Sequence, residues 1–87
     1  MKRVRFILDA PGAKEVFLAG DFTDWEAHAR RMRCVRRGSG TFSIGVPLAP
    51  GTYEYKFMVD GEWREDPKAE GMPNCFGTHN SIRHVAA

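Results

Sequence analysis

Apolar residues return at every second position along most of this chain, and nowhere at helical spacing for more than a turn or two. In "RVRFILD" (3–9), Val4, Phe6 and Leu8 alternate with Arg3, Arg5 and Ile7. In "TFSIGVPL" (41–48), Phe42, Ile44, Val46 and Leu48 share one parity, and in "TYEYKFMVD" (52–60) Tyr53, Tyr55, Phe57 and Val59 do the same. A period of two belongs to a strand with one buried face. "KEVFLAG" (14–20) is a short, nearly continuous apolar run, and "RMRCVRR" (31–37) sets Met32 and Cys34 against arginines. "EWRE" (62–65) and "NSIRHV" (80–85) complete the set. Turn formers divide the runs: Pro11-Gly12, Gly38-Ser39-Gly40, Ala49-Pro50-Gly51 and Asp60-Gly61. Six or seven short strands at this spacing predict an all-β sandwich, with 21–30 and 66–79 as loops.

The dipeptide Asp60-Gly61 is a strong hairpin signal, because a type I′ turn needs positive φ at both central residues. Centred there, Val59 pairs with Glu62, Met58 with Trp63, and Lys56 with Glu65. A register slip of one would bury Glu54, Lys56 and Asp60, which is expensive. Lys56, Met58 and Trp63 therefore face outward, with lysine and indole where water reaches them. Two readings of Trp63 are open at this point. It either covers the end of the core beneath a loop, or it forms a stacking surface with Lys56 as a flexible donor beside it. The loop "GDFTDW" (20–25) poses the same choice for Trp25, while Phe22 is expected to tuck inward.

Composition narrows the function classes. The 87 residues fit one domain, 1–87, with a modest core. Charged residues are 28%, the net charge is +2, and no apolar run approaches the length of a membrane helix. Cys34 and Cys75 are too few for a disulfide scaffold and read as separate reduced thiols in the cell interior, hence cytoplasmic. Asp60, Glu62, Glu65 and Asp66 lie on or near a hairpin without a cleft, so they read as solvated charges rather than a catalytic pair. His28, His79 and His84 do not combine with the cysteines at metal-ligand spacing. No metal or cofactor is expected. The arginine run "ARRMRCVRR" (29–37) alternates with apolar residues and reads as the basic outer side of a strand, not as a nucleic-acid motif.

Three segments together carry a resemblance: "VFLAGDFTDW", then "VPLAPGTYEYKFMVDGEWREDP", then "NCFGTHNSIRHV". The chain resembles the family 48 carbohydrate-binding modules over roughly residues 14–85, in the right order. That family includes the glycogen-binding domain of the AMP-activated protein kinase beta subunit and the N-terminal domains of branching and debranching enzymes. The resemblance implies an early-set, immunoglobulin-like β-sandwich that binds α-1,4-linked glucan such as glycogen, starch, maltodextrin or cyclodextrin. By position, Trp25 and Trp63 match its two stacking tryptophans and Lys56 its hydrogen-bonding lysine. Asn80 and Thr78 match the polar residues of the last loop. Phe76 stands where kinase-associated members carry a leucine wedge, a larger apolar group than theirs. Members fused to enzymes often lack the tryptophan pair, and its retention here favours the binding sort. The second reading is a structural or protein-interaction module serving an enzyme or kinase partner without sugar binding, in which the same aromatic patch docks a protein.

Overall fold

The computed structural model describes residues 1–74 and 77–87. Its elements run β1 (Lys2–Asp9), β2 (Val16–Gly20), a short 3-10 helix (Trp25–His28), β3 (Arg30–Arg31), β4 (Arg33–Cys34), β5 (Thr41–Leu48), β6 (Gly51–Val59), β7 (Glu62–Arg64), β8 (Glu70–Pro73) and β9 (His79–Val85). They form two antiparallel sheets, an all-β sandwich. The smaller has the order β1-β5-β4, and the larger β3-β2-β6-β9-β8, with β7 also paired to β6. No helix among the described residues is long and apolar enough to cross a membrane.

The alternation in the sequence sets the layers. Val4, Phe6 and Leu8 from β1 and Phe42, Val46 and Leu48 from β5 meet Val16, Leu18, Tyr55, Phe57 and Val59 from the larger sheet. Full burial of each such aliphatic or aromatic side chain stabilises by about 1.5–3 kcal/mol relative to exposure. Phe6 makes an edge contact with Tyr55 at 4.9 Å and a stacked contact with Phe22 at 5.8 Å. Phe22 thus plugs one end of the core, as its loop position suggested. On the same ring of Phe6, the Arg83 guanidinium lies 4.6 Å from the centroid while donating to the Arg5 carbonyl at 3.0 Å. That arginine ties β9 to β1 across the gap between the sheets.

Three expectations need correction. The stretch 31–37 is not one strand: β3 pairs with β2 in the larger sheet and β4 with β5 in the smaller one. Met32 is the crossover point, 3% exposed, with its amide bonded to the Val16 carbonyl at 2.7 Å. Past that crossover Cys34 faces solvent as a free thiol instead of sharing the buried side with Met32. Second, 66–79 is not all loop, because β8 pairs with β9 from Glu70↔Ile82 to Pro73↔His79. Third, two of the acidic residues read as solvated are part of the scaffold. The Asp60 carboxylate accepts from the amides of Lys14 and Glu15, both at 2.9 Å. Asp66 accepts from the Tyr55 hydroxyl at 2.7 Å and from the Lys68 amide at 2.9 Å. Burial, followed by that bond to Asp66, raises the Tyr55 phenol well above its ordinary value.

Candidate functional site

The hairpin at Asp60-Gly61 fixes the outward face of the larger sheet. Both residues have positive φ, 49° and 85°, as a type I′ turn requires. The pairs Val59↔Glu62 and Met58↔Trp63 follow as expected, although the ladder stops at Phe57↔Arg64, before Lys56 and Glu65. On its other edge β6 pairs with β2, where Phe17 stands opposite Met58 and Ala19 opposite Lys56. Directly opposed residues on neighbouring strands project to the same side. Trp63, Met58, Phe17, Ala19 and Lys56 therefore share the outward face. Trp63 is 44% exposed.

Lys56 sits at a fork. Up to Tyr55↔Ser81, β6 has β9 beside it; from Phe57↔Arg64 onward it has β7. The lysine is only 9% exposed, so the expectation of a solvated side chain fails. Its ammonium donates to the Thr78 hydroxyl at 2.8 Å. An ammonium carries three donors. Among the described residues the ion pairs are Arg31–Glu15 and His84–Glu70, and Lys56 is in neither.

Thr78 belongs to a polar relay that pattern reading missed. The Asn74 side-chain amide donates to Thr78 Oγ1 at 2.8 Å and to Asn80 Oδ1 at 2.9 Å. Asn74 Oδ1 accepts from the Thr78 amide at 3.2 Å, and the Asn74 amide donates to the Thr78 carbonyl at 2.9 Å. Asn80, itself buried, donates to Glu54 Oε1 at 3.1 Å. Glu54, Asn80, Asn74, Thr78 and Lys56 thus form one connected set drawn from β6, the turn before β9, and β9. Glu54 has the outward parity of Lys56, which was the available signal; nothing local marks Asn74.

Trp25 is reached from the other end of β2. A Cβ on Gly20 would lie 2.6 Å from the Glu54 carbonyl and 2.7 Å from the Phe22 ring, so only glycine lets the loop turn there. Thr23, 5% exposed, accepts from the Gly20 amide at 2.9 Å. Its single hydroxyl proton faces the carbonyls of Gly20 and Trp25, at 3.0 and 2.8 Å. Asp24 and Trp25 both take left-handed backbone, each at φ 53°, which is unusual for so bulky a side chain as tryptophan. The indole is half-buried and opens the 3-10 helix that packs against β2. The spacing left its side open, and the structure gives it neither full burial nor full exposure. Phe76, the remaining expected contact, lies outside the described residues, as does Cys75.

The family model described as the glycogen recognition site of AMP-activated protein kinase matches residues 3–87. The chain is 46% identical over 65 residues to Protein FLOURY ENDOSPERM 6, chloroplastic, of Oryza sativa subsp. japonica, covering 75% of this chain and 12% of the relative. It is 35% identical over 74 residues to the 5'-AMP-activated protein kinase subunit beta-1 of Sus scrofa, covering 85% of this chain and 57% of that protein. Protein PTST homolog 2, chloroplastic, of Arabidopsis thaliana is 46% identical over 55 residues, 63% of this chain and 10% of the relative. The chain thus spans less than two thirds of the length of each of these relatives. It belongs to the family of glycogen recognition sites typified by that of AMP-activated protein kinase.

Proposed function

We propose that this protein binds α-1,4-linked glucan on the outward face of the larger sheet and performs no chemistry on it. The observation that carries this reading is one shared face: an exposed indole at Trp63, and on the same side of β6 the Lys56 ammonium, held by the Thr78 hydroxyl. A pyranose ring offers an apolar face of C–H groups that stacks on a flat aromatic, and a rim of hydroxyls that takes hydrogen bonds. In this reading Trp63 and Trp25 stack on glucose units, Lys56 and Asn80 bond to hydroxyls, Thr78 orients Lys56, and Phe76 fills the curve of the glucan.

The proposal of a purely binding role is supported by the carboxylates. Asp60 and Asp66 are already engaged with backbone amides and the Tyr55 hydroxyl, which suits a scaffold and not a pair flanking a scissile bond. A shallow surface desolvates little area, so single short chains bind weakly and branched particles gain by multivalency. An enzyme or kinase companion is part of the proposal, supported by the greater length of the relatives and by the subunit named among them. A cytoplasmic setting is supported by the free, exposed thiol of Cys34, although two relatives are named chloroplastic.

The test is a tryptophan fluorescence titration with maltoheptaose and β-cyclodextrin. A saturable change abolished by Trp63→Ala, in protein shown to be folded by circular dichroism, is the expected result. A folded wild-type protein with no response to either glucan overturns the proposal and leaves docking of a protein as the use of this face.

A further inference from the structure

The larger sheet carries a row of side chains that the glucan reading uses only at its Trp63 end. Across four neighbouring strands the register runs Trp63↔Met58, Met58↔Phe17 and Phe17↔Arg31, from β7 through β6 and β2 to β3. All four project outward, because opposed residues share a side. Met32 confirms the facing of β3, since it follows Arg31 and is buried inward. Met58 and Phe17 are half-buried, and the Arg31 side chain is 66% exposed. With strands ~4.8 Å apart, three steps set Arg31 about 14 Å from Trp63. The result is an apolar shelf that starts at an indole and ends at a guanidinium.

Among the described residues, the arginine has one ion-pair partner. Its Nη1 lies 3.8 Å from Glu15 Oε2, too long for a hydrogen bond, and the Glu15 side chain is about half exposed. Arg30, next to it on the same edge strand, is opposite the core residue Leu18 and so projects to the other side. Arg33 beyond the crossover pairs into the other sheet and does not reach this face. A guanidinium presents a planar fork that fits two phosphate oxygens at once and gives up water easily. A polyanion such as RNA needs cations along its whole track. Here three successive positions of the row, Trp63, Met58 and Phe17, are neutral and apolar; within the row positive charge stands only at Arg31, and Lys56 on the same face is buried and bonded to Thr78. That order suits a mostly neutral polymer with sparse anionic substituents.

We propose that this shelf extends the glucan site and that Arg31 selects glucan carrying phosphate monoesters. The inference rests on the glucan reading of the same face. The apolar row takes sugar faces beyond the unit on Trp63. Arg31 binds the ester oxygens in place of Glu15.

The experiment compares a maltodextrin phosphorylated at glucose C6 with the same preparation after phosphatase treatment, in 20 mM salt and again in 300 mM. Wild-type protein should bind the phosphorylated dextrin about three- to tenfold more tightly at low salt, with the advantage shrinking at high salt. Arg31→Gln should abolish the advantage while leaving affinity for the neutral dextrin within twofold of wild type. Glu15→Gln should enlarge it. Inorganic phosphate at the same millimolar level should not displace neutral dextrin; displacement would mean a free-anion site and would overturn the proposal. Equal binding of the two dextrins, or an advantage that survives Arg31→Gln, also overturns it and leaves glucan binding intact. Failure of both dextrins to bind removes the underlying glucan reading instead.

Discussion

The two sheets follow the same alternation yet present different outer faces. On the three-stranded sheet, Arg3, Arg5, Ile7 and Asp9 of β1 stand opposite Pro47, Gly45, Ser43 and Thr41 of β5. Arg3 lies across Gly45, where any Cβ would be 2.5 Å from its Nε, and Thr41 donates to Asp9 at 2.9 Å. Ile7 is 43% exposed, almost as much as Trp63 at 44%, but its opposite neighbour is Ser43. On the larger sheet, Trp63 has Met58 beside it and Phe17 beyond, and the polar residues Lys56, Thr78, Asn74, Asn80 and Glu54 are hydrogen-bonded to one another. Isolated exposed apolar residues are ordinary. What separates the faces is continuity of apolar side chains together with polar groups already oriented by a network, which lowers the ordering cost of binding.

The contrast can be broken most directly by truncation on each side. Trp63→Ala should weaken maltoheptaose binding about thirtyfold, the scale of an aromatic hot spot. Ile7→Ala should change it by less than twofold despite equal exposure. Similar effects from the two, measured by titration calorimetry, would erase the distinction. Next, Lys56→Met keeps the aliphatic stem and removes the donor. It should cost about tenfold in affinity, the worth of a hydrogen bond from a charged group, with the melting temperature little changed.

A third change probes the layer beneath. Tyr55→Phe removes the bond to Asp66 and should lower stability by about 1 kcal/mol while leaving glucan affinity as it was. The same tyrosine gives an alkaline signature. Its folded-state pKa is raised, so its contribution is fully present below the unfolded value of about 10 and is lost as pH rises through the folded one. Wild-type urea midpoints should therefore fall above about pH 10 more steeply than those of Tyr55→Phe. Among changes to the site's own residues, the smallest loss of affinity expected is that of Asn74→Ala. It should weaken binding about threefold by releasing Thr78 and Asn80, and speed hydrogen exchange at the Thr78 amide.

Much of this was legible in the residues. β1, β5 and β6 follow from strict period-two alternation, and the hairpin register from Asp60-Gly61, because both signals are local. β8 was not legible: Glu70, Gly71, Met72 and Pro73 have little strand preference, and pairing with β9 holds them extended. The handover at Met32 was hidden for a similar reason, since a change of partner sheet leaves the alternation of side chains looking continuous across it. At the site, parity put Lys56 and Trp63 on one face, but the partner that holds the buried Lys56 is Thr78, 22 residues away. Phe17 was obscured inside a continuous apolar run that gives no hint of which side faces out.

The left-handed pair at Asp24 and Trp25 has a consequence for how such a surface changes over time. The Trp25 ring is carried on a backbone bend, and the Trp25 carbonyl in that bend accepts from Thr23, a residue almost wholly inside the protein. A substitution at that interior threonine would re-aim the indole while every solvent-facing side chain kept its identity. On the proposed glucan reading, so buried a change would alter the curvature of polymer that the surface favours.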